Sequence, residues 1–441
     1  SHTHLSGTGI GDLGDVALLP FSGGDSIKPV ATFKKDTEKA TPGYYAVRLD
    51  NFGINVELTS TDRVGFHKYT YDNPKERRVL LDLGHILQPN WGHKLIGNQY
   101  LLVNDSTVEG TVKTQGWAHF HSMSYRITFS EPIETVYQYM DGKLRKDSLF
   151  LRLNTAEDLK FHYKFSEKAQ PLYGKVALSV VDPEGAEKNL EAELPGWDFD
   201  KTREESTHIW NEALNLIQIE ADPKVMVNFY TALYHTMIQP NVMSDANGEY
   251  MAADYSVRRL PVGQVHYSTF SLWDTFRAAH PLYTMLEPER STDFVNSMIR
   301  QYDYYGYLPI WQLWGQDNYC MIGNHAVPVV VDAILKGLPG IDVDKAYEAV
   351  KMSLTTPHLN SPFEVWDQYG YMPEDLQTQS VSITLEQSFD DWCAAQLAKH
   401  LNKAKDYEFF MKRSAYYRNL HHPETKFFQP KNSKGEWILP F

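Results

Sequence analysis

The order of apolar and polar positions divides the chain near residue 195. Before it the period is two: Tyr45, Val47 and Leu49 alternate with their neighbours, as do Ile54, Val56 and Leu58, so one face of each segment can be buried and the other wetted. Tyr125 to Phe129, Leu149 to Leu153 and Gly174 to Val181 are β-branched or aromatic runs bounded by turn residues, and Asn51-Phe52-Gly53 lies between two runs as a hairpin loop. Many short strands so spaced predict an antiparallel β-sandwich over residues 1–195. After Leu194-Pro195-Gly196 the period changes to about 3.6. Trp210, Leu214 and Ile217 predict a helix from near Thr202 inside a helical linker, 196–222. Asp222-Pro223 is an N-cap followed by proline at the first helical position, with Val225, Phe229, Leu233 and Met237 behind it. Further helices are expected at about 270–285, 290–304, 324–336, 344–354, 384–402 and 406–420. Helical hairpins over 223–441 predict an (α/α)6 toroid, incomplete because the helices are too few to close the ring. With the apolar ending Gly435 to Phe441, this adds the expectation that the chain is a piece of a longer protein.

Composition narrows the class of ligand more than it narrows the fold. The formal charge of −14 argues against nucleic acid and anionic membrane surfaces, which call for a basic face. Aromatic residues are 13% of the chain, with 10 Trp and 27 Tyr, which suits a carbohydrate-handling surface and equally a large core. Only Cys320 and Cys393 are present, so there is no disulfide framework. No apolar run approaches the length of a membrane span.

The densest candidate chemistry lies in Tyr267 to Arg277. Asp274 and Arg277 at i, i+3 share a helix face beside Trp273, and an acceptor, a forked donor and an apolar ring suit a sugar. A buried ion pair with Trp273 as core is the alternative from spacing alone. His2 and His4 would share a face in a strand and could bind a metal or ligand, ahead of the glycine-rich Gly7 to Gly14. Those glycines, lacking a phosphate loop's lysine, suit a tight backbone approach to a ligand or to the neighbouring domain. Asp317 either contacts a ligand or caps the helix after it. Cys320 has no identifiable base and reads as inert. Glu386 and Asp390 are like charges at i, i+4, which need a ligand, a metal or a shared proton. Asp391, beside Asp390, points to another face, so at least one of the two should be solvated or capping.

Six segments in order resemble the family-92 glycoside hydrolases, calcium-dependent bacterial α-mannosidases. They are Ser1 to Asp15 with Val16 to Pro20, Arg77 to Gly84, Gly116-Trp117-Ala118, Ser271 to Arg277, Cys320 to Gly323, and Thr384-Leu385-Glu386 with Asp390 to Cys393. The resemblance implies a β-sandwich, linking helices and an (α/α)6 barrel with the site between domains. It implies exo-acting, inverting hydrolysis of terminal α-mannosides, with Ca2+ helping to distort the ring. Inversion places the two carboxyl groups roughly 6.5–9.5 Å apart. The family's acid, base and calcium segments come after the region of Phe441, and an aromatic segment precedes Ser1, so no catalytic acid, base or metal ligand transfers onto this chain. Asp274, with Trp273, matches the family's mannose contact; Arg277, His2, His4 and Asp317 are further substrate-binding candidates. At Asp317-Asn318 the family more often has Glu-Thr. The expected partners are mannose-containing glycans, and the expected location is outside the cytoplasm: periplasmic, cell-surface or secreted. Two other readings stay open. Another sandwich-plus-toroid glycosidase or phosphorylase would differ by phosphate-dependent cleavage in the latter case, and a non-catalytic glycan-binding protein would bind mannose without releasing it.

Overall fold

The structure is a computed structural model and describes residues 1–5, 9–24, 29–140, 143–147, 152–155, 158–359 and 361–440. It forms two compact units: Ser1–Ile238 with Val242–Met251 and Val257–Val262, and Gln239–Asn241 with Ala252–Ser256 and Gly263–Phe441.

The first unit is built on two sheets whose described pairings are antiparallel. The smaller runs in the order Ala17–Phe21, Arg78–Asp82, Leu159–Phe165, Ile133–Met140, Lys143–Asp147. The larger runs Arg152–Thr155, Lys94–Leu102, Thr107–Gln115, His121–Phe129, Leu172–Ser179, Val64–Tyr71, Ile54–Ser60, Tyr44–Leu49, Lys39–Thr41. The alternation predicted the register. Leu49 pairs with Ile54 and Val47 with Val56 across the hairpin, and all four enter one core with Leu81, Phe161 and Tyr163 of the smaller sheet. Tyr100 stacks on Phe161 at 3.7 Å, joining the sheets through aromatic faces. Gly53 closes the hairpin at φ +63°, a conformation that a Cβ disfavours. Of the expected run Leu149 to Leu153, residues 149–151 lie outside the described residues.

Three helices complete this unit: α1 (Pro183–Glu193), α2 (Phe199–Leu214) and α3 (Pro223–Thr236). Asp182, Asp198 and Asp222 each accept a hydrogen bond from a first-turn backbone N–H, satisfying donors that a helix start leaves orphaned. The sequence reading missed α1. Its sequence is nearly all polar or small, so the periodicity is faint, yet it lays Gly185, Ala186 and Asn189 against the larger sheet. The Trp210 helix begins at Phe199, a little before Thr202, and ends before Ile217.

The second unit is mainly helical. Its helices are α4 (Leu272–Thr275), α5 (Ala279–Leu286), α6 (Pro288–Tyr305), α7 (Ala326–Leu335), α8 (Val343–Ser353), α9 (Phe363–Tyr369), α10 (Ser380–His400) and α11 (Ala404–Arg413). The single helix expected over 270–285 is broken into α4 and α5 at Ala278, whose φ −143° is not helical, and α9 was not anticipated. Helix α7 is buried along nearly its whole length, and α10 packs on α7, α8 and α11. Being central, α10 buries Asp390, Asp391, Gln387 and Thr384 as well as Leu397.

One buried ion pair ties the sandwich together. Arg77, just before strand Arg78–Asp82, is fully buried and meets Glu131 through two parallel hydrogen bonds of 2.9 Å, while Nη1 also donates to the Ser166 carbonyl. Removing one charge leaves the other buried and uncompensated. Glu131→Gln should therefore cost about 3–5 kcal/mol, and replacing both residues by apolar ones should cost less. Urea denaturation of the three proteins, followed by far-UV circular dichroism, checks the order.

Candidate functional site

Trp273 and Asp274 lie on α4, and Arg277 follows two residues past its end. Trp273 is half-buried, while Asp274 and Arg277 are exposed. The guanidinium lies over the Trp273 ring at 4.5 Å and the Phe276 ring at 4.7 Å, so it is held by two aromatic faces. Among the described residues the Asp274 carboxylate accepts a hydrogen bond from the Ser271 hydroxyl. The buried indole N–H of Trp273 has no acceptor there. Such a donor is costly to leave unpaired.

Behind this group stands a relay that the sequence reading did not assemble. Arg277 Nη2 is 3.4 Å from Glu386 Oε1. Glu386 Oε2 is 3.3 Å from His325 Nε2, and His325 Nδ1 is 3.0 Å from Asp390 Oδ1. Phe276 stacks on the His325 ring at 4.1 Å. Asp390 Oδ2 accepts from the Asn324 backbone N–H at 2.7 Å, and the Asn324 amide donates to Gln387 and Ser361. The like charges at i, i+4 are thus reconciled by a histidine between them. Burial opposes a charged His325, but Asp390 and then Glu386 outweigh it and raise its pKa to about 9. Burial would push the Glu386 carboxyl up; His325 and Arg277 together hold it below the ordinary range.

The expectation that Asp390 or Asp391 is solvated or capping is corrected, since both are fully buried. Asp391 Oδ2 accepts from Trp366 Nε1 at 3.1 Å and from Arg413 Nε at 3.2 Å, an aromatic donor and a cation that a central helix can reach on its second face. Cys320 is half-buried, and burial followed by the Asp274 charge pushes its thiol up, away from a reactive thiolate.

Asp317 takes neither role weighed for it. It is buried, and His325, not Asp317, occupies the N-cap of α7. Its carboxylate accepts from the backbone N–H groups of Ile310 at 2.7 Å, Trp311 at 3.1 Å and Tyr319 at 2.8 Å, and from the Gln301 amide at 3.2 Å. Burial pushes this carboxyl up against the pull of those donors. The loop it organises docks on the strand before α4: Phe270 N–H donates to the Gln312 carbonyl and Gly315 N–H to the Ser268 hydroxyl, both at 2.9 Å. Thr269, Trp314, Tyr319 and Met321 all have positive φ, the kind of backbone strain that gathers at functional sites.

His2 and His4 belong to the first unit and do not share a strand face. Residues 1–5 form no strand; His2 is half-buried and His4 exposed. His2 Nδ1 lies 2.5 Å from the Val16 carbonyl and Nε2 lies 2.8 Å from His67 Nε2, whose Nδ1 is 2.6 Å from the Tyr69 hydroxyl. Because the Val16 carbonyl only accepts, the pattern runs one way: Tyr69 donates to His67, His67 to His2, and His2 to Val16. Both ring nitrogens of His2 are used in a neutral chain, and burial lowers its pKa to about 4. Among the described residues no three His, Cys, Asp or Glu side chains gather to hold a metal ion.

The relay sets a pH dependence of stability. His325 is raised in the folded state, so its contribution is full below the unfolded value near 6.5 and is lost as pH rises through about 9. Wild type should lose about 3 kcal/mol more than His325→Gln between pH 6 and pH 10. Chemical denaturation of both proteins at a series of pH values checks the difference; parallel curves would contradict it.

Comparison with known proteins places these features in a family. Residues 1–179 match the glycosyl hydrolase family 92 N-terminal domain and residues 185–441 the family 92 catalytic domain. A protein of Arthroderma benhamiae described as an uncharacterised secreted glycosidase is 25% identical over 99% of this chain and 59% of its own length. A family 92 α-mannosidase from Bacteroides thetaiotaomicron is 34% identical with a TM-score of 0.94, over all of this chain and 61% of that one; it has also been solved with mannoimidazole. An inverting mannosidase of the same family and species is 26% identical with a TM-score of 0.87, over 97% of this chain and 58% of that one. The chain therefore spans about three fifths of the length of these relatives. With residues 1–179 and 185–441 matching the two domains in order, this chain belongs to glycosyl hydrolase family 92.

Proposed function

We propose that this chain is the sandwich and part of the helical catalytic domain, read as an (α/α)6 toroid, of an exo-acting α-mannosidase that inverts configuration outside the cytoplasm. The observation that carries the reading is the group at α4: an exposed Asp274 carboxylate, and next to it Trp273, whose ring lies under the Arg277 guanidinium and whose indole N–H has no partner among the described residues. A pyranose meets these with hydroxyls for Asp274 and Trp273 Nε1 and a C–H face for the ring. The α-mannosidases among the similar structures supply the sugar, and the secreted relative supports the location. In keeping with that, no described helix is long and apolar enough to cross a membrane.

The roles proposed for this chain are binding and orientation. Asp274 accepts from sugar hydroxyls, Trp273 donates to one, and the Glu386–His325–Asp390 relay keeps Arg277 stacked against the Trp273 ring, so the hydroxyl contacts are preorganised. No proton transfer is assigned to a residue here. The reading includes Ca2+ as the cofactor that the family resemblance implies.

Asp274→Ala in the whole polypeptide should lower kcat/KM on an α-mannoside by about 2–4 kcal/mol of transition-state binding. Steady-state kinetics on a chromogenic mannoside, with and without phosphate and a chelator, provide the measurement. A folded variant of near wild-type activity would remove Asp274 from the role. Phosphate-dependent cleavage would point to a phosphorylase, and binding without release to a glycan-binding protein.

A further inference from the structure

We infer that Trp91 is a carbohydrate-stacking platform on the first unit, taking pyranose rings of a neutral α-mannan; the choice of mannan rests on the proposed function. Trp91 is 62% exposed and ends a single 3-10 turn, Pro89–Trp91. Gln88 at φ 57° and Gly92 at φ 84°, both left-handed, flank the turn. It is closed by Trp91 N–H to the Gln88 carbonyl at 2.9 Å and Gly92 N–H to the Pro89 carbonyl at 3.2 Å.

The root of this loop is clamped by the glycine-rich segment that the sugar site on α4 leaves unexplained. Asp12 is buried; Oδ1 accepts from the Leu13 N–H at 2.8 Å and lies 3.4 Å from His93 Nδ1, while Oδ2 accepts from the Ala118 N–H at 2.7 Å. His93 Nδ1 is also 2.9 Å from the Leu87 carbonyl, and His85 Nδ1 is 2.8 Å from the Gly14 carbonyl. A Cβ at Gly14 would lie 2.8 Å from the Leu87 side chain, and one at Gly116 would lie 2.7 Å from the Asp12 carboxylate. Gly14 thus approaches the 85–93 loop of its own unit closely. Strained backbone and an indole left in water are both unfavourable, and here they coincide at the tip of a rigidly held turn.

The surroundings select the ligand. Gln88, Asn90 and Lys94, neighbours of Trp91 in the sequence, are polar and exposed, unlike the wide apolar patch that a protein partner needs. An exposed aromatic face in a turn that also carries amide side chains suits a sugar ring, which offers C–H bonds to the face and hydroxyls to amides. The formal charge of −14 disfavours a polyanion.

Native gels cast with graded soluble α-mannan test this on wild type, Trp91→Ala, Trp91→Phe and Asp274→Ala, with thermal melts confirming equal folding. Wild type should be retarded, Trp91→Ala should bind about tenfold more weakly, and Trp91→Phe should stay close to wild type. In the whole polypeptide, which these activity readouts use, Trp91→Ala should still hydrolyse a small aryl mannoside as wild type does. Equal retardation of Trp91→Ala and wild type would overturn the platform, as would a wild type retarded by none of α-mannan, β-glucan and xylan. Retardation by glucan or xylan alone, lost in Trp91→Ala, would keep the platform and overturn the mannan reading. Loss of aryl-mannoside activity in Asp274→Ala with polymer binding retained separates the platform from the α4 site.

Discussion

Two carboxylates one turn apart on a buried helix constrain the second unit more than any other feature. Glu386 and Asp390 repel each other by only a few tenths of a kcal/mol when exposed on a helix surface, but Asp390 is fully buried, where an unpaired charge is far more costly. A neutral imidazole has one N–H and could donate to only one of them. An imidazolium donates toward both, and His325 lies between them at the start of α7. That requirement fixes where α10 meets α7. It also leaves one oxygen of Glu386 facing Arg277, so the position of a surface guanidinium is inherited from an interior charge balance.

Elsewhere buried acids do a different task. Asp317 and Asp12 each collect backbone N–H groups from loops that have no ladder to satisfy them. A carboxylate suits this because it offers about four acceptor sites and no donor. Asp245 does the same kind of work between elements, accepting from the Ser179 hydroxyl at 2.6 Å and the Asn189 amide at 2.9 Å. Loops gathered in this way keep unusual backbone angles that isolated turns would relax. Asp317 sits in the same stretch as Trp314, Tyr319 and Met321, and Asp12 lies under the turn led by Gln88, all with positive φ. The net acidity is thus partly structural, since many carboxylates face inward.

What the sequence made legible follows from which interactions are local. The strand pairing around Asn51 to Gly53, the Asp222-Pro223 helix start and the Trp273–Arg277 face depend on residues a few positions apart, and periodicity and capping rules read them. Helix α1 escaped because a helix laid across a sheet by Gly185 and Ala186 needs little apolar surface. The partners of Glu386, Asp390 and Asp391 escaped because His325, Arg413 and Trp366 come from other helices. The clash at i, i+4 did announce that something had to accommodate both charges, read as a ligand, a metal or a shared proton; the structure supplies His325, just before the apolar run of α7. For Asp317 the residue type was ambiguous, because capping, ligand contact and loop organisation all ask for the same carboxylate.

Asp274 differs from these acids in having one hydroxyl partner among the described residues and water around it. In that state each hydrogen bond it makes is worth only about 0.5–1.5 kcal/mol net, because water competes. In the proposed sugar-binding role, its strength depends on what excludes water once a ring arrives. The Trp273 face and the guanidinium stacked on it supply a wall on one side, and the fixed Arg277 means that wall is in place before binding. Preorganisation of the wall, rather than the carboxylate alone, decides whether Asp274 holds a hydroxyl loosely or firmly. That makes the distant Asp390–His325 contact part of the site's strength although neither residue needs to touch the sugar.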